Sequence, residues 1–421
     1  MKILYLSQYF PPEVGATQAR AYDMATGLIR AGHRVTMLTE VPNHPQGIIR
    51  PDYRGRLFAR DVLDDIDVIR VWVKTSSVKS ISTRLLFYLS YMVTATLAGL
   101  LLAREDYDLL YATSPPLFVG GAALALSTLR RLPLVFEVRD LWPESAVSLG
   151  EIKNPRLVRW STWLEERCYR RARRIVVVTQ GIRARLSERG FPSEKMAFIP
   201  NGSNTEIFRP QPEAALALRR ELGLEGCFLV IYAGIHGIAQ GLETVLEAAH
   251  RLVGIPDVHL LLVGDGPAKS HLLQLKEELR LTNVTMLQGQ PREAIPAYLS
   301  AADVALVPLR KVELFKGALP SKMLDAWACG VPVILAVDGE AKEVLEKARA
   351  GSYVEPENPS QLSNAILRLR ENPALCKEYG RNGRDFVARN YDRRKLAQSL
   401  EKLLQEVLDE PPAPAVQSRG I

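Results

Sequence analysis

The chain has 421 residues, of which 47% are hydrophobic and 24% are charged. These are ordinary globular values, so they exclude a disordered chain, a collagen-like repeat and a membrane protein with many spans. Its four cysteines lie far apart without a C-x-x-C pair, which argues against a disulfide framework and fits a reducing compartment. The length allows two or three domains, and we expect two of about 200 residues.

The net charge of +7 is concentrated in the first half of the chain. Residues 1–203 hold 28 Lys and Arg against 19 Asp and Glu, whereas residues 204–421 hold 26 against 28. The first half is therefore expected to meet an anionic partner such as a membrane surface, a phosphate or a nucleic acid. The first apolar stretch, Ile3–Leu6, is too short for a signal peptide, so we expect a cytoplasmic protein.

Short apolar runs alternate with amphipathic stretches along nearly the whole chain. In the first half the strand candidates are Lys2–Ser7, Arg34–Thr39, Val68–Lys74, Leu109–Ala112, Leu134–Val138 and Ile175–Thr179. In the second half they are Phe228–Ala233, His259–Val263, Val284–Gln288, Val304–Val307 and Val331–Leu335. This alternation predicts two doubly wound α/β domains with parallel sheets, and their ligands bind beyond the carboxyl ends of the strands.

The domain boundary is expected within the proline-rich stretch Ile199–Pro212. We place the first domain at residues 1–203 and the second at 204–389. The Pro-rich tail at residues 410–421 is predicted to be disordered.

Two charged or glycine-containing loops follow strands of the first domain. The loop Gln8–Thr17 precedes a helix, and Gly15 would let a phosphate approach the helix start, although an ordinary turn explains the pattern as well. After Leu134–Val138, Arg139 is a candidate for binding an anion, and Asp140 or Glu144 for orienting or deprotonating a hydroxyl. The alternative is an ion pair between Arg139 and a glutamate that only holds the loop.

Two segments of the second domain are predicted to hold a diphosphate. The first, GIHGIAQG, runs from Gly234 to Gly241 and contains His236, Gly237 and Gln240. Its spacing is not G-x-G-x-x-G, so a dinucleotide fingerprint is not supported.

The second segment, FKGALPSKMLDAWACGVP, is the more informative of the two. Ser321 is predicted to cap a helix that carries Lys322 and Asp325. An ammonium beside a helix start favours a phosphate, and a carboxylate one turn further is placed to accept hydrogen bonds from a ribose.

Two further stretches have competing interpretations. Asp64-Asp65-Ile66-Asp67 has the D-x-D spacing of a metal site, but we predict a solvated turn because it precedes a strand. Leu85–Ala103 has no charge over 19 residues, which is enough to span a bilayer. We place a buried or partly exposed core helix first and an interfacial helix that dips into an anionic membrane second, the latter favoured by nearby Lys and Arg, Trp160 and Trp163.

Taken together, these segments resemble the retaining glycosyltransferases of family 4, which have the GT-B fold. The matching words are MKILYLSQYFPPEVGATQAR, AGHRVTMLT, IVVVTQGIRARLSERGFPSEKMAFIPNGSNTEIFRP, VGDGP, and ADVALVPL followed by PSKMLDAWACGVPVI. The phrase RDLWPES is similar to a branch that includes fucosyl- and N-acetylfucosaminyl-transferases of bacterial capsule and O-antigen synthesis.

The resemblance implies two Rossmann-like domains that face a cleft, the first binding the acceptor and the second the nucleotide-sugar donor. It also implies a helix at about 390–408 that crosses back to the first domain, with no metal and no cofactor. By position, Gly15 lies near the donor phosphates, and Lys322 and Asp325 belong to the donor site. The family's E-x7-E pair falls on Gly317 and Asp325, so its first glutamate is missing. We expect Lys322 and loop amides to compensate, together with either His236 or Arg139.

We therefore expect a glycosyltransferase that moves a sugar from a nucleoside diphosphate to an acceptor hydroxyl with retention. The catalytic candidates are Asp140, Glu144 and Lys322, and we expect a UDP-sugar rather than a GDP-sugar as donor. The expected acceptor is a polyprenyl-diphosphate-linked sugar in bacterial surface polysaccharide or O-antigen synthesis, met at the inner face of the cell membrane. The alternatives are a nucleotide-sugar 2-epimerase of the same fold and a non-catalytic basic protein that binds a membrane or nucleic acid. Basic motifs interleaved with aromatics, as in RNA-binding proteins, are absent, so we expect no nucleic-acid partner.

Overall fold

The computed structural model describes residues 1–13, 15–43, 47–76, 81–148 and 152–411. Residues 412–421 of the predicted disordered tail lie outside this part. The described residues form two α/β units, each built around one sheet. The predicted fold class, two doubly wound α/β domains, is confirmed.

The first sheet has eight strands in the order β3-β4-β2-β1-β5-β6-β7-β8. They are β1 (Lys2–Leu6), β2 (Arg34–Glu40), β3 (Phe58–Leu63), β4 (Ile66–Val71), β5 (Leu109–Ser114), β6 (Leu134–Val138), β7 (Arg174–Val177) and β8 (Met196–Phe198). Strands β5 and β6 are buried along their whole lengths, which explains why they are continuous apolar runs.

The prediction of a purely parallel first sheet is wrong at one edge. Strand β3 pairs with β4 in the antiparallel direction, and its half-exposed residues lack the long apolar run of a central strand. Asp64 and Asp65 join the two strands with positive φ angles of 47° and 65°. The predicted solvated turn is therefore confirmed, and it is the tight turn of a hairpin.

Helices cover both faces of the first sheet. They are α1 (Ala16–Arg30), α2 (Ile81–Leu101), α3 (Phe118–Leu129), α4 (Glu144–Ser148), α5 (Pro155–Arg171) and α6 (Gln180–Glu188). Helices α2, α3 and α5 share one apolar core with the sheet, whereas α1 lies in a second core on the opposite face. Helix α2 is the predicted apolar stretch, and it begins four residues earlier than Leu85.

The second sheet has six parallel strands in the order β11-β10-β9-β12-β13-β14. They are β9 (Phe228–Ala233), β10 (Val258–Val263), β11 (Val284–Leu287), β12 (Val304–Pro308), β13 (Val333–Ala336) and β14 (Gly351–Tyr353). Its helices are α7 (Pro212–Glu221), α8 (Glu243–Arg251), α9 (Lys269–Glu278), α10 (Ile295–Ala301), α11 (Ser321–Ala328), α12 (Glu340–Ala348), α13 (Pro359–Arg370) and α14 (Pro373–Asn390). Sequence reasoning missed β14, which has only three residues.

The last helix, α15 (Arg393–Asp409), packs on the first domain rather than the second. Leu400 and Leu404 of α15 are buried in the same core as α1. The chain crosses between the two domains twice, and the two crossings lie side by side. The Ser203 amide donates to the Tyr391 carbonyl over 2.9 Å, and the Arg393 amide donates to the Ser203 carbonyl over 3.0 Å. The two crossings form one hinge.

Polar contacts also join the domains away from these crossings. The Glu340 carboxylate, at the start of α12, accepts hydrogen bonds from the amides of Gln180 and Gly181 at 3.0 and 2.9 Å. It thereby satisfies two free N–H groups at the start of α6 in the other domain. A Cβ atom on Gly181 would lie 2.6 Å from the Cα of Gly317, so the two backbones touch here.

Replacing Glu340 by alanine is expected to loosen the contact between the domains, because two helix N–H groups lose the carboxylate that accepts their hydrogen bonds. Small-angle X-ray scattering of the ligand-free protein should show a larger radius of gyration. Glu343→Ala removes the same charge from an exposed position of the same helix and should leave the scattering unchanged. Identical curves for Glu340→Ala and the wild type would contradict this role of Glu340.

Candidate active site

The start of α11 presents an ammonium group to the cleft end of the second sheet. The Lys322 side chain crosses Gly234, at the end of β9, so closely that an added Cβ there would collide with its Cε. Its Nζ lies 5.7 Å from the ring centre of Tyr232. Within the described residues no carboxylate or carbonyl accepts a hydrogen bond from this ammonium, and burial lowers the pKa of Lys322. The geometry leaves its donors available to an anion.

His236 lies beneath the same loop and is fully buried. Its backbone is clamped by the next strand's loop, since the His236 amide donates to the Asp265 carbonyl and Gly266 packs directly on the His236 carbonyl. Both ring nitrogens lack a hydrogen-bond partner in the described structure. Burial, and after it the charge of Lys269, lower the pKa of His236 from 6.5 to about 4, so the ring is neutral at pH 7.

Gly264 and Gly266, which follow β10, are required by packing. Their φ angles are 155° and 157°, and a Cβ on either would strike the backbone of the Gly234–His236 loop. Only glycine allows the two loops to touch. Gly237 and Gln240 lie further along, where a short 3-10 helix (Ile238–Gln240) begins and the Gln240 side chain folds back over Gly237.

Asp325 lies one turn beyond Lys322 and contacts the hinge. Its Oδ1 accepts a hydrogen bond of 2.6 Å from the Ser203 hydroxyl. Burial raises its pKa, and the charges of Arg393 and Arg292 oppose that rise. Among the described residues no donor reaches Oδ2, which is therefore available to a ligand hydroxyl. Sequence reasoning missed Ser203, because a serine in a polar linker carries no pattern of its own.

The first domain places Arg139 at the end of β6, beside the start of α1. Its Nε and Nη2 donate to the hydroxyls of Thr113 and Thr17 at 2.9 and 3.1 Å. Glu137 lies 3.6 Å from Nε, so the ion pair that we set against a binding role is present. Nη1 has no acceptor within the described residues and remains free to bind an anion.

Glu137 belongs to a buried network and does not face the cleft. It is fully buried and accepts hydrogen bonds from Arg20, Tyr111 and Thr113 at 2.7–2.9 Å. Burial alone would raise its pKa, but the paired Arg20 holds it below the usual value. Two guanidinium groups, Arg20 and Arg139, thus share one carboxylate, which leaves the floor of this domain positive.

The other two candidates of the first domain are Asp140, which follows Arg139, and Gly15, which precedes α1. Asp140 is half-buried, and burial raises its pKa against hydrogen bonds from Ser145 and the Leu141 amide. Gly15 is the exposed residue that precedes α1, with an extended backbone. Its φ of 167° is open to any residue, so the expected need for glycine is not found here.

One sequence prediction, the cap of α11, needs correction, and two further candidates have contacts that the sequence did not indicate. Glu144 pairs with Arg185 at 3.1 Å and with Arg189 at 3.6 Å on its own domain. Ser321 does not cap α11, because Pro320 holds the cap position and Ser321 is the first helical residue, without a capping hydrogen bond. Gly317 faces Gly181 of the first domain, where it forms part of the domain contact.

Models of two glycosyltransferase families match most of the chain. Residues 15–202 match the glycosyl transferase 4-like domain, and residues 217–386 match glycosyl transferases group 1. The chain belongs to the GT-B glycosyltransferases of family 4.

Curated relatives of this family 4 chain are also glycosyltransferases. The putative colanic acid biosynthesis glycosyl transferase WcaI of Escherichia coli K12 is 26% identical over 90% of this chain and 95% of its own length. The GDP-mannose-dependent alpha-(1-6)-phosphatidylinositol monomannoside mannosyltransferase of Mycolicibacterium smegmatis is 28% identical over 55% of this chain and 61% of its own. The chain is thus similar to enzymes that build cell-surface glycans and glycolipids.

Solved structures show the same fold at low sequence identity. Sucrose-phosphate synthase from Thermosynechococcus elongatus superposes with a TM-score of 0.75 at 22% identity, covering 96% of this chain and 98% of that one. HepE from Anabaena, in complex with UDP-glucose, superposes with a TM-score of 0.72 at 21% identity, covering 96% and 100%.

The neutral state of His236 predicts that the stability of the second domain is sensitive to acid. Because its folded pKa is about 4 and its ordinary value is 6.5, the unfolded chain binds an additional proton between these pH values and stability falls as the pH falls. From about pH 7.5 to about pH 5.5 the loss is about 1 kcal/mol. In urea unfolding at both pH values, His236→Gln should lose about that much of the pH dependence.

The control is His250→Gln, which removes an exposed histidine near the end of α8. This variant should keep the wild-type pH dependence of unfolding. An unchanged pH dependence in His236→Gln would show that this ring is protonated freely in the folded state.

Proposed function

We propose that the protein transfers a sugar from a nucleoside-diphosphate sugar to an acceptor hydroxyl with retention and without a metal ion. The single observation that carries this proposal is the free ammonium of Lys322 over the glycine loop at the end of β9. The difficult charge of the reaction is the one on the departing diphosphate, and a preorganised cation at the start of a helix stabilises it. Oδ2 of Asp325 then binds a ribose hydroxyl of the same nucleotide.

The reaction joins groups from both domains. The acceptor hydroxyl attacks the anomeric carbon on the face from which the diphosphate leaves. The bond from that carbon to the diphosphate oxygen breaks, and its electron pair goes to the diphosphate beside Lys322. Asp140 orients the hydroxyl and takes its proton, which its raised pKa favours. Arg139 and the start of α1 add positive charge from the opposite side.

No group of three or more His, Cys, Asp or Glu side chains suited to a metal occurs in the described part of the chain. The proposal of metal independence rests on Lys322 and the helix starts, because they supply the positive charge that a metal would otherwise bring.

The proposed acceptor is a polyprenyl-diphosphate-linked sugar at the inner membrane face, in surface polysaccharide or O-antigen synthesis. Relatives support a lipid acceptor by name, among them the alpha-galactosylglucosyldiacylglycerol synthase of Streptococcus pneumoniae, 28% identical over 57% of this chain. The similarity to WcaI supports a polysaccharide product. The Ser82–Leu101 part of α2 is long and apolar enough to cross a membrane by length and composition. Only 28% of its most apolar 18-residue stretch is buried.

A thermal-shift screen with UDP, GDP, ADP and dTDP tests the donor site, because a ligand that binds only the folded state raises the melting temperature. We expect UDP to give the largest shift.

Lys322→Ala should weaken nucleotide binding by about 10- to 100-fold, the effect of losing a hydrogen bond to a charged group. Lys316→Ala removes an exposed ammonium six residues earlier, which pairs with Glu313, and should bind like the wild type. Equal shifts in both variants would remove Lys322 from the site.

Product analysis separates transfer from 2-epimerisation. The protein is incubated with a labelled nucleotide sugar alone and with a bacterial lipid extract. We expect label in the lipid fraction only when the extract is present, and proton NMR of the product should show the anomeric configuration of the donor. An epimerised nucleotide sugar formed without the extract would favour the isomerase, and an inverted linkage would contradict retention.

A further inference from the structure

Helices α2, α3 and α5 form one layer on the outer side of the first sheet. Gly121 of α3 allows close packing, because a Cβ there would collide with Met92 of α2 and lie 3.8 Å from Leu164 of α5. The inner side of α2 is firmly attached: Tyr91 and Ala95 are fully buried, and the Tyr91 hydroxyl donates to the Leu38 carbonyl over 3.0 Å.

The outer side of α2 is an exposed apolar row. Leu86, Val93, Leu97 and Leu100 are 55%, 53%, 44% and 41% exposed. Their spacing of seven, four and three residues places them on one side of the helix, opposite Tyr91 and Ala95. Contiguous exposed apolar surface of this kind marks an interaction site in a soluble domain.

Helix α5, which like α2 packs on α3, adds tryptophan and positive charge. Trp160 and Trp163 are exposed, and so are Arg156, Arg159 and Arg167. The helix carries five arginines against two glutamates, and one of these, Glu165, is buried against Arg189. Apolar side chains, tryptophan and arginine side by side are the composition of helices that lie in a bilayer interface.

We propose that this layer docks on an anionic lipid bilayer through a docking face, defined as Leu86, Val93, Leu97, Leu100, Trp160 and Trp163 with the arginines of α5. The positive charge of α5 selects an anionic lipid surface, and the apolar row enters the boundary between headgroups and acyl chains. Helix α2 lies in the interface and does not cross it, because crossing would strip Tyr91 and Ala95 from the sheet.

The docking face reaches the loop that carries Asp140. Trp142 of that loop packs on Phe118 of α3 at 6.1 Å between ring centres, and Phe118 packs on Trp160 at 5.6 Å. A headgroup held at this edge therefore lies beside the acceptor loop. This assignment of the acceptor's route rests on the proposed function, whereas bilayer binding itself does not.

Sedimentation with vesicles tests the face directly in the full-length protein. With vesicles of phosphatidylcholine containing about one third phosphatidylglycerol, we expect the wild type to sediment, and with pure phosphatidylcholine to stay in solution. The triple variant Val93→Glu/Leu97→Glu/Leu100→Glu should lose sedimentation. The control Leu216→Glu/Leu273→Glu changes exposed leucines of the second domain and should sediment like the wild type.

The arginines are tested separately. Arg156→Gln/Arg159→Gln should bind the anionic vesicles on the order of thirtyfold more weakly, since each arginine near the surface contributes about 1 kcal/mol. Arg251→Gln/Arg381→Gln makes the same charge change at exposed sites of the second domain and should have no effect.

The nucleotide-induced thermal shift is measured in every variant, so that a lost docking face and a lost donor site are told apart. Loss of sedimentation with a normal thermal shift supports the docking face even if no transfer is detected. Unchanged sedimentation of the triple glutamate variant would overturn the proposal. Light scattering that shows a dimer of the wild type and a monomer of the triple variant would overturn it in favour of a second copy of this chain.

Discussion

The candidate donor site depends on one ammonium group that finds no hydrogen-bond acceptor among the described residues. Lys322 lies against Gly234 and Tyr232 and is half-buried. Removing its charge from water costs stability and lowers its pKa, and the charge of Asp325, one turn away, opposes that shift. Gly234 leaves room for the Lys322 side chain, and Gly264 and Gly266 allow their loop to touch the loop of Gly234 and His236. In the proposed function a diphosphate supplies the acceptor that this ammonium lacks, so binding energy and leaving-group stabilisation arise from the same contact.

The first domain buries two guanidinium groups, those of Arg20 and Arg139, around the single carboxylate of Glu137. Arg20 is 2% exposed and spends its donors on Glu137 and on the carbonyls of Ile199 and Pro200. It therefore ties the floor of the first domain to the beginning of the linker. Nη1 of Arg139 has no acceptor within the described residues, and the shared carboxylate of Glu137 lies 3.6 Å from its Nε.

Much of the fold was predictable because central parallel strands are continuous apolar runs, as in β5 and β6. Edge strands such as β3 and β14 were missed, since short, half-exposed strands lack that pattern. The same limit applies to the site. Lys322 could be found from its place at a helix start. Glu144 is different, because it pairs with Arg185 and Arg189, which lie more than 40 residues further along the chain, and no local spacing indicates these pairs. Ser203 was missed for the same reason.

The hinge and the nucleotide site share residues, and this has a mechanical consequence. Asp325 contacts Ser203, whose backbone pairs with Tyr391 and Arg393 where the chain crosses back. Arg393 and Arg292 both reach Asp23 of the first domain, at 2.5 and 2.7 Å. In the proposed function, a ribose at Oδ2 of Asp325 binds a carboxylate that already connects α11 to this pair of crossings. Glu340 joins the two domains at a second place, against the start of α6. We therefore expect a bound nucleotide to favour the arrangement of the domains seen here, in which both contacts are made.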